Sequence, residues 1–335
     1  AAFIRRPMTW LRAIDRYRGT HSYSPNFGYD LCVERSTEQD RAELDLSCVE
    51  VLINGAEPVR RTTRDRFVSA FAASKFPPEA HCSGYGLAES SVLVSAGRND
   101  REDPVVFLDA AALEQGQIVF RSGPDQGVRE VLSDGIPGPG YDVRIVDPGT
   151  GAEAAPGTVG ELWVRGPSVC PGYWRRDEET RAAFGGVLDG DDGGPYLRTG
   201  DLAFMHDGEI VICGRWKDLI VIRGRNLYPH DIELTAELAH ESVRSGGSAA
   251  FAAEDAEGRE TLVIVAEVDG ELEQPDVVAA ISGAVLQEFE LHVMDVLLVA
   301  PRGIPKTSSG KKQRRATRAL WRQARGVGVE APASV

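Results

Sequence analysis

The 335-residue sequence has no apolar run near the ~18 residues that a membrane-spanning helix needs. Its first residues show no charged segment leading into an apolar one, so no secretory signal is read there. Cysteine is sparse: five residues, at 32, 48, 82, 170 and 213, with no C-x-x-C pair. That pattern excludes a disulfide framework and leads us to expect reduced thiols in a cytoplasmic protein. The six histidines form no H-E-x-x-H or other paired spacing, which argues against a zinc centre. No G-x-S-x-G elbow is present, so that class of serine hydrolase is set aside. Basic residues are outnumbered, 37 against 51 acidic ones, for a net charge of −14. So acidic a body argues against nucleic-acid binding. The exception is the segment from Pro301 to Val329, which has nine Lys or Arg and no acidic residue.

What is present is ordinary for a folded chain: 42% hydrophobic and 26% charged residues. The length suggests about two domains. Helix-like and strand-like stretches alternate over the first ~95 residues, as in an α/β layer. Trp10, Leu11, Ile14 and Tyr17 after Pro7 predict an amphipathic helix. Val49 to Ile53 predicts a strand ending at Asn54-Gly55-Ala56-Glu57-Pro58, with a helix over 62–73 after it. A small-residue turn at a strand's carboxyl end is where open α/β sheets bind ligands, although these residues alone favour a plain turn before a helix. In His81-Cys82-Ser83-Gly84-Tyr85-Gly86-Leu87-Ala88-Glu89-Ser90 two glycines bracket an aromatic and a carboxylate follows. Glu89 stands where a dinucleotide fingerprint needs its third glycine. The aromatic could stack on a base and the carboxylate hold a metal; a tight turn is the alternative.

Residues 97–140 read as irregular, punctuated by Gly123-Pro124 and glycines from 135 to 140. From Tyr141 the texture turns to β, with strands at 143–146, 160–164 and 209–213. Gly190 to Pro195 (GDDGGP) reads as an exposed acidic loop and nothing more. The stretch Tyr196 to Glu233 then packs Arg198-Thr199-Gly200-Asp201, a hairpin, Gly214-Arg215-Trp216-Lys217-Asp218 and a second hairpin. It reads as a joint between a large α/β body and a small α+β domain. That domain reads as helix 230–241, strands 249–253 and 261–268, helix 276–290, strand 296–300 and a basic helix to about Arg325. Before that last helix lies Pro305-Lys306-Thr307-Ser308-Ser309-Gly310-Lys311, a small-residue loop able to carry an ammonium to a phosphate. A solvated basic terminus is the other reading.

Together these motifs resemble the adenylate-forming enzymes: acyl-CoA synthetases, peptide-synthetase adenylation domains and luciferases. GYGLAES, GELWVRGPSVCPGYW, YLRTGDL, GRWKDLIVIRG with Asp231-Ile232-Glu233, and PKTSSGK follow the family's motifs in order. NGAEPV, Ala88 in place of the family threonine and RGRNLYPHDIE are similar to the fatty acyl-AMP ligase branch. An extra stretch between Val94 and about Gly140 resembles that branch's insertion, which disfavours coenzyme A as acceptor; Asp134 takes the place of an expected cysteine. The implied architecture is α/β: the C-terminal part of a large AMP-binding domain over 1–216, with the insertion region at 97–140. A small mobile α+β lid domain over 217–335 completes it. The family's phosphate-gripping loop would precede Ala1, so residues 1–335 by themselves are expected to be inactive.

The resemblance implies activation of a fatty acid by ATP to an acyl-adenylate, with pyrophosphate released. The acyl group then passes to the phosphopantetheine of a holo acyl carrier protein. Asp201 would accept both ribose hydroxyls and Arg215 would help hold the ribose. Gly55, Ala56 and Glu57 would edge the adenine and Tyr85 stack on it, with Asn54 and Gly86 completing the nucleotide (ATP/AMP) set. Glu89 would hold Mg²⁺. Lys217 would be the hinge and Lys311 the catalytic lysine at the α-phosphate. The acyl chain would lie near Phe27 and Tyr29, and the basic tail, Arg314 and Arg315 included, would steer the acidic carrier protein. Two other readings stay open: an acyl-CoA ligase, and a truncated, non-catalytic adenylation-like interaction module.

Overall fold

A computed structural model describes residues 2–255, 258–307 and 311–327. The chain divides into two compact units, Ala1–Trp216 and Lys217–Val335. The first opens with α1 (Ala2–Arg5) and α2 (Met8–Tyr17), whose apolar stripe buries Met8, Leu11 and Ile14. Tyr17, expected on that stripe, is exposed: the helix ends at Arg18 in the left-handed conformation, past the edge of the core. Next come β1 (His21–Ser24), α3 (Asn26–Glu34), α4 (Glu38–Ala42), β2 (Val51–Gly55), α5 (Arg61–Ala70) and β3 (His81–Tyr85). β1, β2 and β3 pair in parallel, which requires the crossovers that the helices provide. Two short antiparallel strands, β4 (Ser95–Ala96) and β7 (Ile136–Pro137), extend this sheet.

Between those two strands, β5 (Val105–Asp109), α6 (Ala110–Glu114) and β6 (Val128–Leu132) form an antiparallel hairpin with a helical turn. The stretch read as irregular is therefore an ordered insert. Val106, Leu108, Leu113 and Leu132 supply its apolar side, and Asp109 caps α6 by accepting from the Ala112 amide at 2.9 Å. Their spacing is too short and too interrupted by glycine to show as a strand period.

Tyr29, placed beside the acyl chain by sequence reasoning, lies instead in the core. It is fully buried, donates its hydroxyl to the Ile53 carbonyl at 2.8 Å, and packs edge-on against Trp10 and Phe67. Phe27 stays on the surface against Phe3. Phe67 is the hub of this layer, with Tyr29, Phe71 and Phe76 rings at 5.0, 4.6 and 5.3 Å. Phe67→Ala is expected to cost ~3–5 kcal/mol, read as a shift of the denaturant midpoint at unchanged slope.

The β-rich part of this unit is a four-stranded antiparallel sheet in the order β11-β10-β9-β8. Its strands are β8 (Asp142–Val146), β9 (Gly160–Arg165), β10 (Leu197–His206) and β11 (Glu209–Arg215). Helix α7 (Asp177–Phe184) precedes β10. The GDDGGP loop is more than an exposed acidic turn. Asp191 accepts from Arg165 at 2.9 Å and from the Tyr196 hydroxyl at 2.5 Å, tying the loop to β9 and β10. These contacts drive the Asp191 carboxyl far below the usual carboxylate range, Arg165 first and Tyr196 next.

The second unit follows a helical turn at Trp216–Asp218. β12 (Ile220–Ile222) and β13 (Arg225–Leu227) form a hairpin whose two central residues, Arg223 and Gly224, both have positive φ, as a type I′ turn requires. Then come α8 (Pro229–Leu238), β14 (Val243–Glu254), β15 (Glu260–Val268), α9 (Pro275–Phe289), β16 (Val293–Val299) and α10 (Arg314–Arg325). β15 shows the two-residue period plainly. Leu262, Ile264, Ala266 and Val268 face α8 and α9, while Val263 and Val265 face Trp321 of α10. Both faces are covered, so Leu262 to Ala266 reads as one continuous apolar run. Among the described residues no helix is long and apolar enough to cross a membrane.

Candidate nucleotide-binding site

The Arg-Thr-Gly-Asp motif is a bulge in β10. Arg198 pairs with Trp163 and Leu202 with Glu161, so Thr199, Gly200 and Asp201 together oppose the single residue Leu162. Such a bulge leaves backbone groups without ladder partners. Side chains supply them: the Thr199 hydroxyl donates to the Leu162 carbonyl at 2.7 Å and accepts from the Asp201 amide at 3.0 Å. Glu161 accepts from the Gly200 amide at 2.9 Å and from the Trp163 indole at 2.8 Å. Gly200 sits at φ +74°, a conformation that any other L-residue adopts only with strain. Thr199 and Gly200 therefore each have a physical reason, and their outcome is an Asp201 held clear of the β9 ladder.

Tyr85 and Arg215 converge on that carboxylate. The Tyr85 hydroxyl donates to Asp201 Oδ2 at 2.6 Å, and Arg215 Nε donates to Oδ1 at 2.9 Å. Arg215 lies directly across the ladder from Asp201. Burial, reinforced by the Asp201 charge, pushes the Tyr85 phenol well above its ordinary value, so it remains a donor. Each carboxylate oxygen keeps a further lone pair for an incoming hydroxyl.

The other expected nucleotide residues sit at the carboxyl ends of β2 and β3. Asn54 is fully buried: its amide donates to Asn26 at 3.0 Å, while its own Oδ1 has no partner. Gly55 ends β2, and Ala56 follows at φ +70°, a strained setting of the kind found at functional sites. Glu57 is half-buried. Gly86 leaves no room for a side chain, since a Cβ there would stand 1.6 Å from the Val92 carbonyl oxygen. Glu89, on the helical turn Ala88–Ser90, accepts from the Tyr173 hydroxyl at 2.6 Å through one oxygen. A carboxylate with capacity left on its other oxygen suits Mg²⁺, which is held by one or two carboxylates with phosphates and water. Among the described residues no group of three or more His, Cys, Asp or Glu could hold a metal unaided.

Lys217 and Lys311 belong to the second unit, and both are exposed. Lys311 is fixed at its backbone: its amide donates to the Thr307 hydroxyl at 3.0 Å and its carbonyl accepts from the Thr307 amide at 2.8 Å. Ser308, Ser309 and Gly310, read as a mobile loop, lie outside the described residues. Sequence reasoning assigned no role to Glu161 or Thr199, which shape the bulge, or to Tyr173, which orients Glu89. Glu161 lies inside the GEL motif, and a buried carboxylate next to a tryptophan was the available signal.

A second group of carboxylates lies behind the site. Asp134 accepts from the Ile212 amide at 2.9 Å, and Asp103 accepts from the Ser83 amide at 2.5 Å. Burial raises the Asp134 carboxyl to about 7, with Asp103 and Asp201 adding to the rise; burial likewise raises Asp103 to about 6. An unfolded aspartate titrates near ~3.9. The folded state therefore prefers Asp134 protonated, and stability is lost as pH climbs from about 4 to about 7, then levels. Asp134→Asn should remove that slope. The variant's melting midpoint relative to the parent is expected to rise across this window, by at most about 1.4 kcal/mol per pH unit.

A carboxylate presented by a bulge, flanked by a guanidinium, a phenol and a small-residue turn at the sheet's carboxyl end, is an arrangement suited to a polar ligand in an α/β protein. Residues 1–174 match the family described as AMP-binding enzyme, and residues 217–327 match the Disco-interacting protein 2-like AMP domain. The chain belongs to the AMP-binding enzyme family. It is 47% identical over 323 residues to the medium-chain-fatty-acid–[acyl-carrier-protein] ligase JamA of Moorena producens, covering 95% of this chain and 54% of that protein. It is 38% identical to the 4-hydroxyphenylalkanoate adenylyltransferase of Mycobacterium tuberculosis, over 94% of this chain and 52% of that one. Among solved structures, one from a study of fatty acyl-adenylate ligases of E. coli and L. pneumophila superposes with a TM-score of 0.86 at 32% identity. It covers 98% of this chain and 57% of its own. A fatty acyl-adenylate ligase from L. pneumophila in complex with acyl adenylate and pyrophosphate gives a TM-score of 0.64 at 34% identity, with 98% and 56% covered. The chain thus spans about half the length of the relatives it matches.

Proposed function

We propose that the protein to which this chain belongs activates a fatty acid as its acyl-adenylate and transfers the acyl group to the phosphopantetheine thiol of an acyl carrier protein. The observation that carries this reading is the Tyr85–Asp201–Arg215 cluster on the Thr199–Asp201 bulge. The relatives named as fatty-acid ligase and acyl-adenylate complex support the substrate class. In the first half-reaction a carboxylate oxygen attacks the α-phosphorus of ATP, an O–P bond forms, and the bond to pyrophosphate breaks. In the second, the carrier thiol attacks the acyl carbon and AMP leaves.

Catalysis of the displacement is mainly positioning and charge neutralisation. Asp201 accepts the ribose hydroxyls, while Tyr85 and Arg215 keep it oriented. Asn54, Gly55, Ala56, Glu57 and Gly86 line the base, with Tyr85 against its face. Glu89 holds Mg²⁺, which when bound neutralises charge on the phosphate oxygens. The Lys311 ammonium supplies positive charge at the α-phosphate, and Lys217 is the residue about which the second unit pivots. Residues 1–216 form the AMP-binding part and 217–335 the lid. The proposed cytoplasmic location rests on the odd count and the spacing of the five cysteines.

ATP–pyrophosphate exchange on the native protein, with a panel of fatty acids, tests the first half-reaction. Exchange with no fatty acid tried would refute it. Offering holo carrier protein and coenzyme A in parallel tests the acceptor; thioester formed on coenzyme A alone would make the protein an acyl-CoA ligase.

A further inference from the structure

β11 is an outer strand, and it carries a bulge of its own. Leu202 pairs with Gly214, but the next residue, Ala203, pairs with Ile212, which leaves Cys213 as the extra residue. Bulges and sheet edges both expose backbone groups without partners. The insert provides them. The Asp134 amide donates to the Ile210 carbonyl and the Ile210 amide to the Gly135 carbonyl, each at 2.8 Å. Asp134 Oδ2 accepts from the Ile212 amide at 2.9 Å, and Arg129 Nη2 donates to the Cys213 carbonyl at 2.8 Å. Two side chains thus bracket the bulged residue, Asp134 on the amide of the preceding Ile212 and Arg129 on the carbonyl of Cys213 itself.

The bulge decides what Asp201 faces. With Cys213 accommodated, Asp201 pairs with Arg215. In a regular ladder continued from the Ala203–Ile212 pair, Leu202 would meet Cys213 and Asp201 would meet Gly214. Glycine has no side chain, so the carboxylate would lose its guanidinium.

We propose that Arg129 and Asp134 are positioning residues for the nucleotide site: they hold the β11 bulge and so keep Arg215 opposite Asp201. The functional half of this inference rests on the reading of Asp201 and Arg215 as the ribose clamp. Arg129 reaches the Cys213 carbonyl, and on this proposal it acts on Asp201 through the register of β11. The insert, on this account, is a brace for the ribose clamp.

Hydrogen–deuterium exchange and AMP titration on the native protein test it. Arg129→Met and Asp134→Ala are expected to speed exchange of the 209–215 amides at least tenfold, with β2 and β3 unchanged, and to weaken AMP at least tenfold. Asp134→Asn keeps the acceptor and should neither speed exchange at 209–215 nor weaken AMP. In an Arg215→Ala background, Arg129→Met should weaken AMP no further. Unchanged exchange at 209–215, unchanged AMP affinity, or a full additional loss in the Arg215→Ala background would overturn the proposal. If Arg129→Met exchanges throughout the first unit, Arg129→Lys, which keeps a donor, decides by the same readouts. A parent protein that binds no AMP would sink the nucleotide reading instead. Exchange at 209–215 in Arg129→Met would then judge the brace alone: a local rise supports it and no rise refutes it.

Discussion

Lys311→Ala is expected to slow acyl-adenylate formation by about 10²–10³-fold, the usual scale for removing one preorganised charge at a developing anion. Acyl transfer from preformed acyl-adenylate should proceed at near the parental rate, because on the proposed mechanism the second unit has pivoted about Lys217 by then and Lys311 no longer serves the phosphate. The variant should fold normally, since the side chain is exposed and the Thr307 contacts involve only the Lys311 backbone. Single-turnover assays of the two half-reactions separate these outcomes. Parental adenylation in the variant would remove Lys311 from the mechanism.

A stability effect as large as that of Phe67→Ala is expected at Glu233. Its side chain is 1% exposed and carries four bonds. Oε1 accepts from the Ala250 amide at 3.1 Å and Arg314 Nε at 2.8 Å; Oε2 accepts from Lys312 at 2.9 Å and Arg314 Nη2 at 3.0 Å. Arg314 also reaches Asp218 at 2.9 Å. Glu233→Ala removes the most buried partner of two cations, leaving Lys312 to Glu237 and Arg314 to Asp218, and breaking such a buried pair typically costs ~3–5 kcal/mol. Burial alone would raise the Glu233 carboxyl, but Lys312 and Arg314 outweigh it and leave it lowered. Its contribution is therefore present above the unfolded value near ~4.3 and is lost as pH falls through the lower folded value. Calorimetry of the second unit's transition from pH 7 to pH 3 should show the parent converging on Glu233→Ala at the acid end. A pH-independent gap would contradict the assignment.

This network also corrects the reading of the basic tail. Arg314 is engaged with Glu233 and Asp218, so it is not a free charge for a carrier protein; Arg315 is exposed. Carrier loading that responds to salt and to Arg315→Gln, but less to Arg314→Gln once the latter's stability loss is allowed for, is the expected result.

Much of the fold was legible because local chemistry and periodicity coincide along the chain. The helices of the second unit and the run Glu260–Val268 announce themselves through apolar spacing alone. The ribose-side cluster was legible only through motif order, since nothing local in Tyr85 points to Asp201. The bulges were not legible. Register belongs to a pair of strands, and neither Leu162 nor Cys213 is unusual on its own strand. The same holds for Tyr29, whose aromatic character fits a ligand pocket and a core equally, until Phe67 and Trp10 are seen to enclose it. Asp191 reads as one acid among several in a turn; Arg165, 26 residues away, and Tyr196 give it a role.

The two bulges flank the same short stretch of β10 from opposite sides. One sets three residues against Leu162, and the other sets Cys213 extra on β11. Sliding β10 by one residue would have to dissolve and rebuild both at once, so the pair works as a double key against frame errors in strand pairing. Deleting or inserting a single residue between Leu197 and Leu202 should be tolerated less well than any one substitution there. In this stretch the site stores its information in residue count as much as in residue identity.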